Sequence, residues 1–234
     1  MKPVSASLVS VNVGLPAPLA YRGKHVQSGF RKSPVGGALW LSNTGLAGDR
    51  QADLKNHGGP EKAVCVYPLE HHPYWEQRLD RRLGPAAFGE NFSTEGFAES
   101  VVCVGDVYGV GSAIVQVSQP RQPCFKLAAR HGVKELALWV QETGLTGFYF
   151  RVLREGEVAA GDEISLLERP TPEVSIAEAN RVMHLDKHDV AGIERLLAVA
   201  ELSVNWRRTF EKRLSGRAED TAPRLEGPDA KKAG

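Results

Sequence analysis

The chain has 234 residues, a formal net charge of +1 at pH 7 and 42% hydrophobic residues, which is enough to bury a sizeable core and too much for a largely disordered polymer. The near-balanced charge excludes bulk electrostatic binding to nucleic acid and leaves at most a local patch. Cys65, Cys103 and Cys124 lie far apart with no C-x-x-C pair, which excludes a disulfide framework; with neither a signal-peptide core nor an apolar run of bilayer length, a soluble cytoplasmic protein is expected.

The first two thirds read as β-rich. Residues 7–13 alternate loosely, and residues 62–67 form a short apolar strand closed by Pro68. A helix is predicted over residues 69–83. Strands follow at residues 101–104, 106–110 and 113–117. Gly109-Val110-Gly111 reads as a hairpin turn, not a nucleotide loop, because a strand follows it. A second helix, residues 134–143, stops at Gly144, a residue type suited to the left-handed C′ position. Strands at residues 148–153 and 163–167 complete the set. Glycines at short intervals favour an antiparallel barrel or sandwich over a doubly wound sheet.

Arg169-Pro170-Thr171-Pro172 reads as a stiff linker. Beyond it the pattern is helical. Ser175-Ile176-Ala177-Glu178 is a capping box, and Asp189 and Ser203 are candidate caps of two further helices. The third carries Trp206, Phe210 and Leu214 on one side and stops at Gly216. The expected organisation is a mainly β unit over residues 1–169, a three-helix bundle over residues 173–225, and a disordered tail over residues 226–234.

The segment with most chemical content is Val117-Ser118-Gln119-Pro120-Arg121-Gln122-Pro123-Cys124-Phe125-Lys126-Leu127. Two prolines stiffen a loop that presents one cysteine between two cations. Cations beside a cysteine favour its thiolate, the form that binds metals or attacks substrates. Cys65 and Cys103 sit in apolar runs and read as buried structural thiols. In Lys55-Asn56-His57-Gly58-Gly59-Pro60-Glu61-Lys62, the paired glycines form either an ordinary turn or a nest that brings backbone N–H groups to an anion, with His57 and Lys62 alongside. In Gly45-Leu46-Ala47-Gly48-Asp49-Arg50, Arg50 is free to meet a phosphate or to pair with Asp53. Glu90 and Asn91, in Phe88-Gly89-Glu90-Asn91, serve either a ligand or their own backbone. His71-His72 reads as a solvated pair. His184 and His188 straddle a helix end and lack a third ligand, which argues against zinc. Arg207, Arg208, Lys212 and Arg213 read as a solvated helix face before a DNA-reading one.

Taken together, these loops resemble the MOSC-domain family, and the bacterial YiiM type within it. The resemblance rests on Gly45-Leu46-Ala47-Gly48-Asp49-Arg50, His57-Gly58-Gly59-Pro60, Phe88-Gly89-Glu90-Asn91 and the Cys124 loop, and extends to Trp206-Arg207-Arg208-Thr209 and Arg213-Leu214-Ser215-Gly216. It implies a mainly β MOSC-type barrel followed by a small three-helix C-terminal bundle. It also implies a molybdenum cofactor of the molybdopterin type, with Cys124 as the metal ligand. The cofactor-binding candidates are Arg50, Gly58, Gly59, Lys62, Asn91, Ser118, Arg121, Cys124 and Lys126; the catalytic candidates are Cys124, His57 and Glu90. The implied reaction is reduction of N-hydroxylated compounds, including purine bases such as 6-hydroxylaminopurine. Electrons would come from an external flavin or iron–sulfur reductase, with the protein a monomer or homodimer. The alternatives are a cofactor carrier or sulfur-transfer protein using Cys124, and a sensor whose helical bundle binds nucleic acid.

Overall fold

The computed structural model describes residues 6–54 and 56–227. Strand β1 (Ala6–Val13) comes first, followed by a hairpin of β2 (Ala17–Tyr21) and β3 (Lys24–Ser28). The short strands β4 (Ser33–Pro34), β5 (Leu39–Ser42) and β6 (Gly45–Leu46) lead to β7 (Val64–Pro68) and helix α1 (His72–Leu79). Next come β8 (Phe92–Glu95), β9 (Val107–Val110) and β10 (Ala113–Pro120), then helices α2 (Lys126–His131) and α3 (Leu136–Thr143). The last strands are β11 (Phe148–Arg154), β12 (Gly156–Val158) and β13 (Glu163–Glu168).

Seven strands close a barrel in the order β1-β8-β7-β11-β10-β9-β13, with β13 returning to β1. Neighbours are antiparallel except β7 and β8, where Val66 lies opposite Phe92 in a parallel pair. Closure leaves few free edges and lets Leu8, Val64, Val66, Phe92, Val115, Val117 and Phe148 fill the interior. The approach of β11 to β7 requires Gly147: a Cβ there would lie 2.2 Å from the Val66 carbonyl oxygen, and its φ is +70°. A second apolar cluster, with Phe30, Tyr67, Trp75, Phe88, Leu127 and Val140, sits under the helices at one end. Tyr67 and Phe88 stack there with ring centroids 4.2 Å apart.

Past β13 run α4 (Ile176–Asn180), a π-type turn (Arg181–Leu185), α5 (Val190–Ala198) and α6 (Val204–Leu214). The expected caps are in place: Ser175 Oγ accepts from Glu178 N at 3.1 Å, Asp189 Oδ1 from Gly192 N at 2.9 Å, and Ser203 Oγ from Trp206 N at 3.4 Å. The helices share one core with the barrel, through Val102, Val104, Ile176, Val182, Leu196, Trp206 and Phe210. The proline linker is pinned, since the Arg169 guanidinium donates to both carboxylate oxygens of Asp106 at 2.8 and 2.7 Å.

Several expectations are corrected. Residues 101–104 make one isolated bridge, Cys103 to Ser175, and no strand; the Cys103 N–H donates instead to Asp106 Oδ2 at 2.8 Å. His71 and His72 are buried, not solvated, and His71 Nε2 lies 2.6 Å from Glu99 Oε2. Arg213 is not part of a solvated face: it donates to the Val182 and Met183 carbonyls at 3.1 and 2.8 Å and pairs with Glu219. Glu226 and Gly227, read as the start of a frayed tail, belong to a placed segment. Helix α7 (Ala222–Glu226) lies against the β2–β3 hairpin and the Cys124 loop, and Tyr21 Oη donates to the Glu226 carbonyl at 2.8 Å. The remainder of that expected tail, residues 228–234, lies outside the described residues, as does Lys55. Among the described residues, no helix is long and apolar enough to cross a membrane.

Candidate functional site

Strand β10 carries the chain to the barrel end and breaks register with β11 between Val117 and Gln119. The Arg121 N–H still donates to the Gly147 carbonyl at 3.0 Å, which anchors the start of the cysteine loop. Helix α2 then begins at Lys126. Opposite this loop, Gly58 and Gly59 adopt φ of +79° and +80°, and the turn they make brings His57 towards Cys124. One recess of about 40 Å³ gathers His57, Gly58, Lys62, Asn91, Arg121, Cys124 and Lys126. Seven of the expected site residues therefore meet in space.

Cys124 Sγ lies 4.0 Å from His57 Nε2. Burial, and then the charge of Lys126, pushes the His57 pKa down to about 3, with Lys62 and Arg121 adding to the fall and Asp53 opposing it. The imidazole is therefore neutral near pH 7, with one ring nitrogen able to accept. Lys62 Nζ donates to the Asn56 carbonyl at 2.9 Å, and burial lowers its pKa.

Arg121 and Lys126 are only 6% and 8% exposed. Among the described residues, neither charged head has a hydrogen bond or an ion pair, although the Arg121 guanidinium lies over the Phe30 ring at 5.7 Å from its centroid. Neither head is sealed from the recess, so both cations line an open space where an anion can meet them. Burial opposes the charge on Arg121, but the anionic forms of Cys65, Tyr149, Cys124 and Glu90 outweigh it and raise its pKa. Burial holds the Cys65 thiol and the Tyr149 phenol well up, so at neutral pH these two give Arg121 no negative charge.

Four expected site residues stand outside the recess. Glu90 is fully buried in its own turn, where Oε1 accepts from Ala86 N at 2.7 Å and Ser93 Oγ at 2.8 Å, and Oε2 accepts from Phe88 N at 3.0 Å. Burial raises its pKa. Ser118 Oγ donates to the Glu61 and Tyr149 carbonyls and joins strands. Arg50 is exposed; it meets neither recess nor Asp53, and donates to the Asp49 carbonyl at 3.0 Å. Gly59 caps the 3₁₀ turn at Pro60–Lys62, with nothing near the position of a Cβ.

Sequence reasoning passed over Phe30, Gln51, Cys65, Gly89 and Tyr149, all of which line the recess. It also passed over the group that organises its floor. Asp49 pairs with buried Lys32 and accepts from Gly14 N at 2.9 Å, Gln51 Nε2 at 3.1 Å and Asn91 Nδ2 at 3.0 Å. Asn91 Oδ1 in turn accepts from Cys65 N at 3.1 Å. The available signal was the Gly48-Asp49-Arg50 motif itself, with the wrong one of two adjacent charges chosen.

Comparison with known proteins agrees with this fold. The MOSC domain family matches residues 53–165, and the YiiM-like, 3-alpha helix domain family matches residues 174–217. Protein YiiM of Escherichia coli (strain K12) is 42% identical over 205 residues, covering 86% of this chain and 91% of that protein. The chain belongs to the MOSC-domain family, YiiM type. The crystal structure of YiiM from Geobacillus stearothermophilus matches this YiiM-type chain with a TM-score of 0.77 at 39% identity, over 89% of this chain and 99% of that one. A protein named Reductase from Gibberella moniliformis (strain M3125 / FGSC 7600) is 38% identical over 167 residues, which is 69% of this chain but only 29% of that protein.

MOSC domains are associated with binding of the molybdenum cofactor, and the donor set here suits such a group. A thiol is a soft ligand for a thiophilic metal. Two buried cations without acceptors suit its phosphate and oxygen anions.

Proposed function

We propose that this protein holds a molybdenum cofactor through Cys124 and reduces N-hydroxylated compounds to amines, purine bases such as 6-hydroxylaminopurine among them. The observation that carries this reading is the convergence of the Cys124 thiol, a neutral imidazole 4.0 Å from it and the cations Arg121 and Lys126 on a single recess, which Cys65 also lines. The reaction balances as R–NH–OH plus two electrons and two protons giving R–NH₂ and water. When bound, the cofactor would supply the two-electron oxygen-transfer chemistry, which no side chain of the recess can perform.

The protein's own part is binding, orientation and proton handling. Cys124 supplies the thiolate ligand. Arg121 and Lys126 draw the anionic portions of the ligand inward, and Gly58 lets backbone approach closely. His57 Nε2, 4.0 Å from Cys124 Sγ, is the group placed to take up and return a proton beside the reacting end. Burial first, and then the nearby cations, hold His57 neutral; an anion in the recess offsets the cations and so favours its protonated form.

Electrons come from a separate flavin or iron–sulfur reductase in this reading. The fungal relative named Reductase supports it, because more than two thirds of that protein lies outside the matched part. The helical unit is the proposed docking surface, with exposed Arg208 and Lys212 as its contacts. Deleting this unit would expose the shared core, so charge reversal at those two residues is the cleaner test.

The deciding experiment is the molybdenum-to-protein ratio of protein from a cofactor-making host, by elemental mass spectrometry, followed by turnover of 6-hydroxylaminopurine with an artificial electron donor. Near-stoichiometric metal, lost in Cys124→Ser together with turnover, is expected. Full metal content and activity in Cys124→Ser would refute the assignment. Cys65 on the same recess is the one observation favouring a cofactor-carrier or sulfur-transfer protein instead; metal-loaded protein without turnover would decide for that reading.

A further inference from the structure

Helix α7 lies far along the chain from the cysteine loop, yet it holds that loop on both sides. The Arg224 guanidinium donates through Nη1 to the Pro123 carbonyl, in the peptide group that precedes Cys124. The Arg224 carbonyl accepts from the Phe125 N–H at 2.9 Å, in the peptide group that follows Cys124. One residue thus brackets the two peptides that set the direction of the Cys124 side chain. Arg224 is itself held, since Nη2 donates to Gln141 Oε1 of α3 at 2.7 Å.

The neighbouring contacts extend the same arrangement. The Glu226 carbonyl accepts from Tyr21 Oη at 2.8 Å, which ties the β2–β3 hairpin to the segment. The rings of Tyr21 and Phe125 lie 5.0 Å apart. Gly227 has φ of +97°, and a Cβ there would stand 3.0 Å from Tyr21 and 3.6 Å from Phe125, so the chain fits against this ring pair only as glycine. Upstream, the ion pair of Glu219 with Arg213 anchors the crossing from the helical unit to the barrel. The prolines limit the conformations of the loop, but proline carries no N–H and offers the loop few anchors of its own. The bracket from α7 ties the Pro123 carbonyl and the Phe125 N–H, one on each side of Cys124.

We propose that residues 221–227 form a clip that sets the position of Cys124, with Arg224 as its positioning residue. This rests on the reading of Cys124 as the functional thiol, but the bracket itself is testable without any cofactor. Arg224 touches neither substrate nor metal in this view; it fixes where the sulfur points and keeps a positive charge near it.

The test compares the wild type, Arg224→Ala and Arg224→Lys as full-length, cofactor-free proteins. Amide hydrogen exchange at Phe125 and the iodoacetamide labelling rate of Cys124, resolved by peptide mass mapping, are the two readouts. In Arg224→Ala the Phe125 amide is expected to exchange about tenfold faster, corresponding to the loss of about 1.4 kcal/mol of protection. Cys124 labelling should change severalfold while Cys103 labelling stays constant. Arg224→Lys should recover much of the labelling rate, because it keeps the charge and one donor. A general loosening would move Cys103 as well and would not be rescued by lysine. If Arg224→Ala does not fold, Gln141→Ala, which frees only Nη2, should shift both readouts in the same direction by less. Unchanged exchange and labelling in folded Arg224→Ala would overturn the clip. In molybdenum-loaded protein, Arg224→Ala should retain several-fold less metal. Retention lost in Cys124→Ser but intact in Arg224→Ala would refute the clip and spare the cofactor reading, whereas faster exchange and altered labelling with metal intact in Cys124→Ser would do the reverse.

Discussion

Arg121→Met separates ligand recognition from folding more sharply than any other substitution in this protein. The guanidinium is buried, has no hydrogen-bond or ion-pair partner among the described residues, and at neutral pH faces a protonated Cys65 and Tyr149. Even a buried ion pair replaced by apolar groups of similar volume often leaves stability unchanged or raises it by about 1–4 kcal/mol, and Arg121 has no ion-pair partner to lose among the described residues. Loss of the contact over Phe30, 5.7 Å from the ring centroid, offsets about 1 kcal/mol of that gain. A net gain of about 0–3 kcal/mol remains, and for a chain of this size each kcal/mol moves the melting temperature by about 2–4 °C. The cofactor-free variant should therefore melt no lower than the wild type and at most about 12 °C above it. Inorganic phosphate should have the opposite discrimination. At about one hundred times its Kd it stabilises the wild type by about 2.7 kcal/mol, and it should do almost nothing for the variant. Thermal denaturation followed by fluorescence, with and without phosphate, measures both effects. A variant that melts lower than the wild type, or that responds equally to phosphate, would show that Arg121 serves the fold and not an anion.

Three further outcomes follow from the same geometry. Asp49→Asn leaves Lys32 buried without its anion, where the two side chains are only 6% and 2% exposed; urea denaturation should show a loss of about 3–5 kcal/mol. His57 and His184 both have pKa values pushed down by burial to about 3 in the folded protein, so between about pH 6.5 and 3 the unfolded chain binds more protons than the folded one. Stability should therefore be full above about pH 6.5 and fall on acidification, by at most about 1.4 kcal/mol per pH unit for each histidine; His57→Gln should flatten this slope, and an unchanged slope would count against the buried neutral imidazole. In Gly89→Ala a Cβ would stand 2.9 Å from the Phe30 ring at a φ of +76°, which should displace Phe30 from the recess, cost about 1–3 kcal/mol and weaken phosphate binding measured by calorimetry.

The parts of the site that were legible in the sequence are those with a local cause. The cysteine loop announces itself through two prolines and two cations within a few residues of Cys124. The turn at Gly58 and the caps at Ser175, Asp189 and Ser203 rest on backbone chemistry within four residues, and all three caps are made as expected. Glu90 was misplaced for an equally local reason. Its two oxygens take three donors from residues 86–93, a turn whose closure cannot be told from ligand binding by composition alone. The hairpin β2–β3 and helix α2 escaped notice because neither carries a clear apolar period.

By itself, the sequence determined a mainly β unit, a helical unit after the prolines, and one cysteine loop held among cations. These follow from torsional preference, hydrophobic period and short-range charge, all of which act between near neighbours in the chain. The tertiary structure alone decided that Asp49 and not Arg50 faces inward, that Cys65 shares the recess with Cys124, and that Arg224 closes on the cysteine loop from 100 residues away. Strand β7 is buried along its whole length, so no alternation marks which face of Cys65 meets the site. Barrel closure and the shared core set these contacts. Both depend on how distant strands and helices pack, which no local pattern encodes.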